Sequence, residues 1–271
     1  MRVLVLCVPA GDAELASDRL WAAGARAVEE RAGDGGMAEL RTILADSDDV
    51  SVARLGRVSP GWTVSFCDVD DLPAQTWREF SEPIVVNDRL VIRPAWLAPV
   101  DPPDGLEVEI EPGGSFGLGD HPTTRLSADA TWRSVRAGSR VLDVGCGSGV
   151  LSIIAALRGA SRVVAIDIAE AAREATDDNA ARNGVSNLIE ASTSEIGDIA
   201  GSFDLVLANI LAPVLVSMAS DLRRLTATDG RLVLSGVLAG RHDHVIAALD
   251  PMQVVSTAVL EGWASVELRH P

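Results

Sequence analysis

The sequence predicts an α/β fold: a mostly parallel sheet flanked by helices, closed by an antiparallel pair and preceded by a small α+β unit. Three observations carry this prediction. Residues 140–167 read as strand, glycine-rich turn, helix and strand, which is a βαβ unit. From Leu106 to the C-terminus strand-like and helix-like segments alternate, as a parallel sheet with crossover helices requires. The first eighty residues alternate over shorter spans, which fits a separate small sheet.

In chain order, Met1–Val8 is a strand candidate that runs into Pro9. Asp12–Ala23 is a helix candidate, with Asp12 placed to cap it and Gly24 to stop it. Residues 26–30 and 61–67 are further strand candidates, and Gly33–Gly36 and Asp46–Asp49 read as turns. The pattern fits a ferredoxin-like sandwich. Trp77–Phe80 reads as helical. Pro83–Val86 and Arg89–Arg93 alternate like a hairpin over Asn87-Asp88, and the prolines from Pro94 to Pro103 make the following stretch irregular. Beyond the βαβ unit, residues 202–209 read as a buried strand, Pro213–Leu225 as one helix and Gly230–Gly236 as a strand. Arg241–Leu249 reads as a helix, and Gln253–Leu260 with Trp263–Arg269 as the closing antiparallel pair. These shifts divide the chain into a small α+β unit (1–80), a linker and hairpin (81–105) and the main α/β domain (106–271).

Composition narrows the class. Apolar residues make up 47% and charged residues 23%, ordinary for a packed soluble protein. No apolar run approaches the roughly 20 residues of a membrane span, and the apolar N-terminal stretch is too short for a signal peptide. Cys7, Cys67 and Cys146 lie far apart with no C-x-x-C spacing, which argues against a disulfide framework or a metal site and fits a reducing cytoplasm. The net charge of −16 suits a basic protein partner better than phosphate backbones, so no direct nucleic-acid binding is expected. The chain has no lysine, in keeping with its wealth of Ala, Arg, Gly and Asp, so no catalytic step can use a lysine amine.

The chemistry concentrates in three blocks. Val141–Gly149 ends a strand in a loop with Gly145, Gly147 and Gly149, and Asp167 ends the next strand. Glycines there let a ligand approach the backbone, and an acid at that strand tip takes both hydroxyls of a ribose. A dinucleotide and S-adenosylmethionine both fit the outline. The dinucleotide fingerprint G-x-G-x-x-G needs glycine at position 150, which is Val150. The spacing present, from Asp143 through Gly145 and Gly147 to Gly149, resembles motif I of the class I methyltransferases. Upstream lies Glu111–Thr124, with four glycines, Phe116, His121 and paired threonines, unsuited to a regular helix or central strand. Downstream, Ala208-Asn-Ile-Leu-Ala212 ends a strand at the crevice where open α/β sheets hold ligands.

Together these blocks resemble the PrmA family, which methylates amino groups of large-subunit ribosomal protein eleven, the stalk-base protein. Residues 77–80, 89–96, 179–185, 234–238 and 261–263 extend the resemblance over residues 77–271, and residues 20–30 carry it loosely into the first unit. The resemblance implies a class I, Rossmann-like fold with a seven-stranded sheet. It further implies S-adenosyl-L-methionine as cofactor, N-methylation of lysine or α-amino groups, and docking of the basic protein substrate by residues 1–80. Cofactor contacts carried over fall on Thr124, Gly145, Asp167 and Asn209. Asp143 and Gly147 of the same loop join them, with Ser192 or backbone groups left to read the adenine amine because the family's common acid after the third strand is missing. Asn209 is placed to orient the attacking amine, and Thr124 and His121 to close the site, His121 as a base or as a brace. No metal is implied. Leu118 departs from the family's usual Thr.

Three other readings follow from the same residues. A nucleic-acid methyltransferase would usually carry an aromatic after the strand-end Asn to stack on an extruded base; here the run is Asn209-Ile-Leu-Ala212. A small-molecule amine methyltransferase shares the cofactor site, and so does a non-catalytic cofactor-binding scaffold.

Overall fold

The computed structural model describes residues 2–22, 25–44, 59–68, 81–100, 102, 105–111 and 119–271. The chain divides into two compact units, Met1–Phe80 and Ser81–Pro271. The turn expected at Asp46–Asp49, the helix expected at Trp77–Phe80 and the glycine-rich residues 112–118, Leu118 included, lie outside the described residues.

In the first unit, β1 (Arg2–Pro9), α1 (Ala13–Ala22), β2 (Ala25–Ala32), β3 (Met37–Leu44) and β4 (Thr63–Asp68) follow in order. The four strands form an antiparallel sheet in the order β2-β3-β1-β4, the strand order of a ferredoxin-like sheet. Leu4, Leu6 and Val8 alternate along β1, while Ala13, Ala16 and Leu20 recur at helical spacing on α1, and both sets enter one core. The Asp12 carboxylate, expected to cap the helix, accepts the indole N–H of Trp62 at 3.0 Å. It sits in a short 3-10 turn ahead of α1.

The second unit opens with β5 (Ile84–Asn87), β6 (Leu90–Pro94) and β7 (Leu106–Ile110), a three-stranded sheet in that order. The hairpin from the linker stretch therefore joins the main domain, because β6 pairs parallel with β7. The buried Arg93 guanidinium holds this sheet together. It donates to Glu107 at 2.8 Å and Glu109 at 2.6 Å on β7, and to the Leu97 carbonyl at 2.6 Å.

Next come α2 (Pro122–Ser134), β8 (Arg140–Val144), α3 (Val150–Leu157), β9 (Arg162–Ile166), α4 (Glu170–Arg182), β10 (Ile189–Ser192) and β11 (Phe203–Asn209). They are followed by α5 (Ala212–Ser217), α6 (Ala219–Leu225), β12 (Thr226–Leu238), α7 (Asp243–Ala248), β13 (Gln253–Leu260) and β14 (Trp263–Arg269). Seven strands make one sheet in the order β10-β9-β8-β11-β12-β14-β13, with β14 antiparallel to both neighbours. Both faces are covered. Val141, Val163, Leu205 and Val233 enter one apolar layer with α3, and Leu142, Ile166, Val206 and Leu232 enter the other with residues of α5–α7. That double burial explains why the central strands read as unbroken apolar runs.

Two sequence expectations need correction. The single helix expected at Pro213–Leu225 is two short helices that meet at Met218, whose ψ of 1° is not helical. The Ser217 hydroxyl donates to the Val214 carbonyl at 2.8 Å, a local bond that competes with the helix ladder. The strand expected at Gly230–Gly236 runs from Thr226 to Leu238, because pairing with β11 and β14 extends it past both glycines.

Candidate active site

The strand order reverses between β8 and β11. In an open α/β sheet, the crevice at the carboxyl ends of such strands is the ligand position. From β8 the chain enters the glycine loop, where Gly145, Gly147 and Gly149 adopt φ of 75°, 55° and 79°. These values admit glycine without strain. The amides of Gly145 and Cys146 both donate to the Ile166 carbonyl, at 2.8 and 3.1 Å, and Gly147 N–H donates to Asp167 Oδ2 at 3.0 Å. The other carboxylate oxygen, Oδ1, accepts from Ala169 N–H at 3.0 Å. The acid at the tip of β9 is thus held by two backbone amides, one of them from the loop it serves.

Asp143 lies two strand positions deeper, level with Ala165, and is fully buried. Ser152 Oγ–H donates to its Oδ2 at 2.7 Å, and Oδ1 is buried without a hydrogen-bond partner. Burial, with a further contribution from the nearby Asp167 charge, pushes the Asp143 carboxyl up to about 6 against the bonds from Ser152. Burial likewise pushes the Cys146 thiol well above its ordinary range, so this cysteine is a packing residue of the loop and no nucleophile.

Asn209 ends β11 opposite Ser235 of β12, half-buried. The next residue, Ile210, is held between two glycines. A Cβ on Gly145 would stand 2.4 Å from Ile210 Cγ2, and a Cβ on Gly236 would stand 2.4 Å from the Ile210 carbonyl oxygen. Gly236, at φ 85°, therefore lets β12 pass directly under the Asn209-Ile210 peptide. Ser235 Oγ–H reaches the carbonyls of Ala264 at 3.1 Å and Thr123 at 3.3 Å, which brings the start of α2 to the same strand end.

At that helix start Thr124 is buried and its Oγ1 has no hydrogen-bond partner. His121 is the N-cap, ahead of Pro122 at the first helical position. Its Nδ1 accepts from Thr123 N–H at 3.3 Å and lies 2.7 Å from Thr123 Oγ1. Burial holds the imidazole below its usual pKa, against the pull of Asp120 and Glu261. The ring also meets Trp263 edge-on at 5.0 Å, and the turn that presents Trp263 is Glu261-Gly262, both at positive φ. Neutral, capping and packed, His121 has the geometry of the brace.

Of the sequence-predicted residues, Asp143, Gly145, Gly147, Asp167 and Asn209 sit at adjacent strand ends, and Thr124 and His121 open the helix beside them. Ser192 stands apart from the loop. Its hydroxyl donates to Ser194 Oγ at 3.0 Å, and it lines an open cleft with Arg162, Glu190 and Asp198, while its carbonyl accepts from Asp167 N–H at 3.2 Å. Sequence reasoning missed Ile168, which is 93% exposed immediately after Asp167, and Gly236. An isoleucine directly behind a strand-terminal acid was the signal for the first; the second is visible only through its contact with Ile210.

A family model described as ribosomal protein L11 methyltransferase (PrmA) matches residues 59–271. The chain belongs to this family. A ribosomal protein L11 methyltransferase of Symbiobacterium thermophilum is 34% identical over 97% of this chain and 84% of its own length. One from Citrifermentans bemidjiense is 39% identical over 73% of this chain and 67% of its own. The crystal structure of ribosomal protein L11 methylase from Lactobacillus delbrueckii subsp. bulgaricus has a TM-score of 0.65 and 31% identity, covering 70% of this chain and all of that one. This PrmA-family protein has the class I methyltransferase fold and is an S-adenosylmethionine-dependent enzyme. Its strand ends fit that cofactor. Thr124 Oγ1 and Asp143 Oδ1 are buried acceptors left unpaired, and the glycines at positive φ give the loop a backbone path that side chains rarely allow. Among the described residues no helix is long and apolar enough to cross a membrane.

The Asp143 geometry generates a pH prediction. With a carboxyl raised to about 6, the native state keeps a proton that the unfolded chain releases near pH 4. Stability contributed by this proton is complete at lower pH and is lost as pH rises through about 4 to 6, by up to about 3 kcal/mol. Asp143→Asn cannot titrate, so its stability relative to wild type should climb by that amount between about pH 4 and 8. Urea denaturation of the cofactor-free protein across this range measures it; a constant difference would refute the raised carboxyl.

Proposed function

We propose that this protein transfers methyl groups from S-adenosylmethionine to lysine or α-amino groups of ribosomal protein L11. The observation that carries the reading is the position of the Asn209-Ile210 peptide. It stands at the end of β11, and the Ile210 side chain packs against Gly145 of the glycine loop, so acceptor and donor groups would meet at one crevice. The names of the relatives supply the acceptor. The net charge of −16 suits a basic protein, and the cytoplasm, where ribosomal proteins are made, is the compartment we propose. Residues 1–80 are our candidate for docking that substrate, with the chemistry held in residues 106–271.

Bound S-adenosylmethionine supplies an electrophilic methyl group on a sulfonium. In our reading the Asp167 carboxylate accepts from the ribose hydroxyls, and Ile168 lays apolar surface beside the adenine. The glycine loop lets the backbone approach, and Thr124 and Asp143 take the polar atoms that the fold leaves them. The acceptor amine must be neutral to offer its lone pair, although a free lysine amine has a pKa near about 10.4. Burial in the crevice favours the neutral form, and the Asn209 amide oxygen with the Ile210 carbonyl would accept its N–H bonds and aim the lone pair. When bound, the sulfonium would give its methyl carbon to that lone pair and keep the carbon–sulfur electron pair, leaving as a neutral thioether. The amine proton leaves to solvent after transfer, so no strong base is needed, and His121 braces the helix start.

Three measurements test this. Asp167→Ala removes a charged acceptor of two hydrogen bonds and should weaken cofactor binding by about 3 kcal/mol, on the order of a hundredfold, by calorimetry. Unchanged affinity would remove this loop as the cofactor site. Asn209→Ala should lower kcat by about a hundredfold while cofactor affinity holds, because its amide aligns the amine in the transition state. Equal losses in both would make Asn209 a cofactor contact only. Incubation with labelled S-adenosylmethionine and ribosomal proteins should label L11. Since the enzyme has no lysine, any methyl-lysine found belongs to the acceptor. An unlabelled L11 beside another labelled species would overturn the substrate.

A further inference from the structure

The block Asn179-Ala-Ala-Arg-Asn183 has no part in the chemistry above, yet its asparagines make a dense set of bonds to backbone. Asn183 Oδ1 accepts from Glu109 N–H at 3.0 Å, and its Nδ2 donates to the carbonyls of Glu109 at 2.7 Å and Asn179 at 2.8 Å. Asn179, fully buried, repeats the pattern two strand residues on. Its Oδ1 accepts from Glu111 N–H and its Nδ2 donates to the Glu111 carbonyl, both at 2.9 Å. Pitch explains the match. Four residues of helix rise about 6 Å and two residues of strand about 6.6 Å, so amides at i and i+4 meet alternate strand residues.

Asn179 does one thing that Asn183 does not: Nδ2 also donates to the Ser148 carbonyl of the glycine loop, at 2.9 Å. One turn earlier, buried Thr176 donates from Oγ1 to the adjacent Gly147 carbonyl at 3.2 Å. Two successive loop carbonyls therefore point into α4. In a trans peptide the N–H opposes the C=O, so the Thr176 bond holds the Gly147–Ser148 peptide with its Ser148 N–H directed away from α4, while the Asn179 bond holds the next peptide, whose Gly149 N–H donates to the Cys146 carbonyl at 2.8 Å. The loop lies directly on this helix, since a Cβ on Gly149 would stand 2.8 Å from Thr176 Cγ2.

We propose that Asn179, supported by Thr176, is a positioning residue for the cofactor loop. Its bond holds the Ser148–Gly149 peptide, next to the peptide that Thr176 holds, and ties this part of the loop to Glu111, just past the end of β7. The proposal rests on the reading that the Gly145–Gly149 loop binds the cofactor.

The test compares full-length variants by calorimetric cofactor affinity, thermal midpoint, and KM against kcat. Asn183→Ala strips hydrogen bonds from Glu109 on β7 and Asn179→Ala from Glu111 just past it, and both should lower the midpoint. Only Asn179→Ala should weaken cofactor binding, by about tenfold or more, with kcat at saturating cofactor nearly retained. Equal affinities in the two variants would overturn the proposal. Asn179→Asp provides the test if the alanine variant does not fold. As a carboxylate it cannot donate to Ser148, whereas as an acid it can, so its affinity relative to wild type should recover as pH falls. A ratio independent of pH would overturn the proposal. Asp167→Ala in the same series separates the two levels. If it weakens binding and Asn179→Ala does not, only the positioning role fails. If Asp167→Ala binds normally, the loop reading fails and takes this proposal with it.

Discussion

The 3.0 Å hydrogen bond from Gly147 N–H to Asp167 Oδ2 is the interaction on which the site depends. It joins a loop leaving β8 to an acid leaving β9, and it is possible only because the two strands are parallel neighbours whose ends lie level. The bond also limits what each partner can do. A loop amide committed to the acid cannot meet a ligand, and an acid held by Gly147 and Ala169 has little freedom to turn away from the crevice. A carboxylate preorganised in this way loses little entropy when a ligand arrives.

Around that bond the fold uses glycine to bring backbones together where side chains would hold them apart. Gly145 and Gly236 both press on Ile210, one against its side chain and one against its carbonyl. Asn209 therefore cannot move without disturbing the loop or β12. Gly149 does the same on the other side, against Thr176. The loop is clamped between two elements, so a change in either should be felt at the cofactor site. Trp263 adds a third clamp from the far end of the chain, through its edge contact with His121 at the start of α2.

The polar atoms left unpaired carry their own meaning. Buried donors and acceptors are nearly always satisfied within a native fold. Thr124 Oγ1 and Asp143 Oδ1 are exceptions at the two elements that border the crevice, one opening α2 and one ending β8. Burial without a partner costs free energy, which a bound ligand or an ordered water can relieve. This cost is what raises the Asp143 carboxyl, and it is the reason that the site's stability and its pH dependence are linked.

Much of this was legible in the sequence, because its signals are local. Strand–glycine–helix–strand over residues 140–167, the buried runs of the central strands and the closing hairpin each depend on residues close together in the chain, and β12 apart their boundaries were read to within a residue or two. So were the glycines of the loop, whose φ values no other residue accepts readily. What the sequence could not determine depends on contacts between distant segments. The break at Met218 lies inside a run that reads as one helix, and the reach of β12 is set by its neighbours in the sheet. The sequence left His121 as base or brace; its capping bond to Thr123 and its contact with a residue more than a hundred positions away come from the fold and support the brace that we propose. Gly236 and Asn179 fall in blocks that carry the resemblance but have no legible role until the fold sets one under Ile210 and the other between Glu111 and Ser148. Local pattern determined which elements form; only packing decided which of their atoms meet, because that depends on where chain-distant backbones cross.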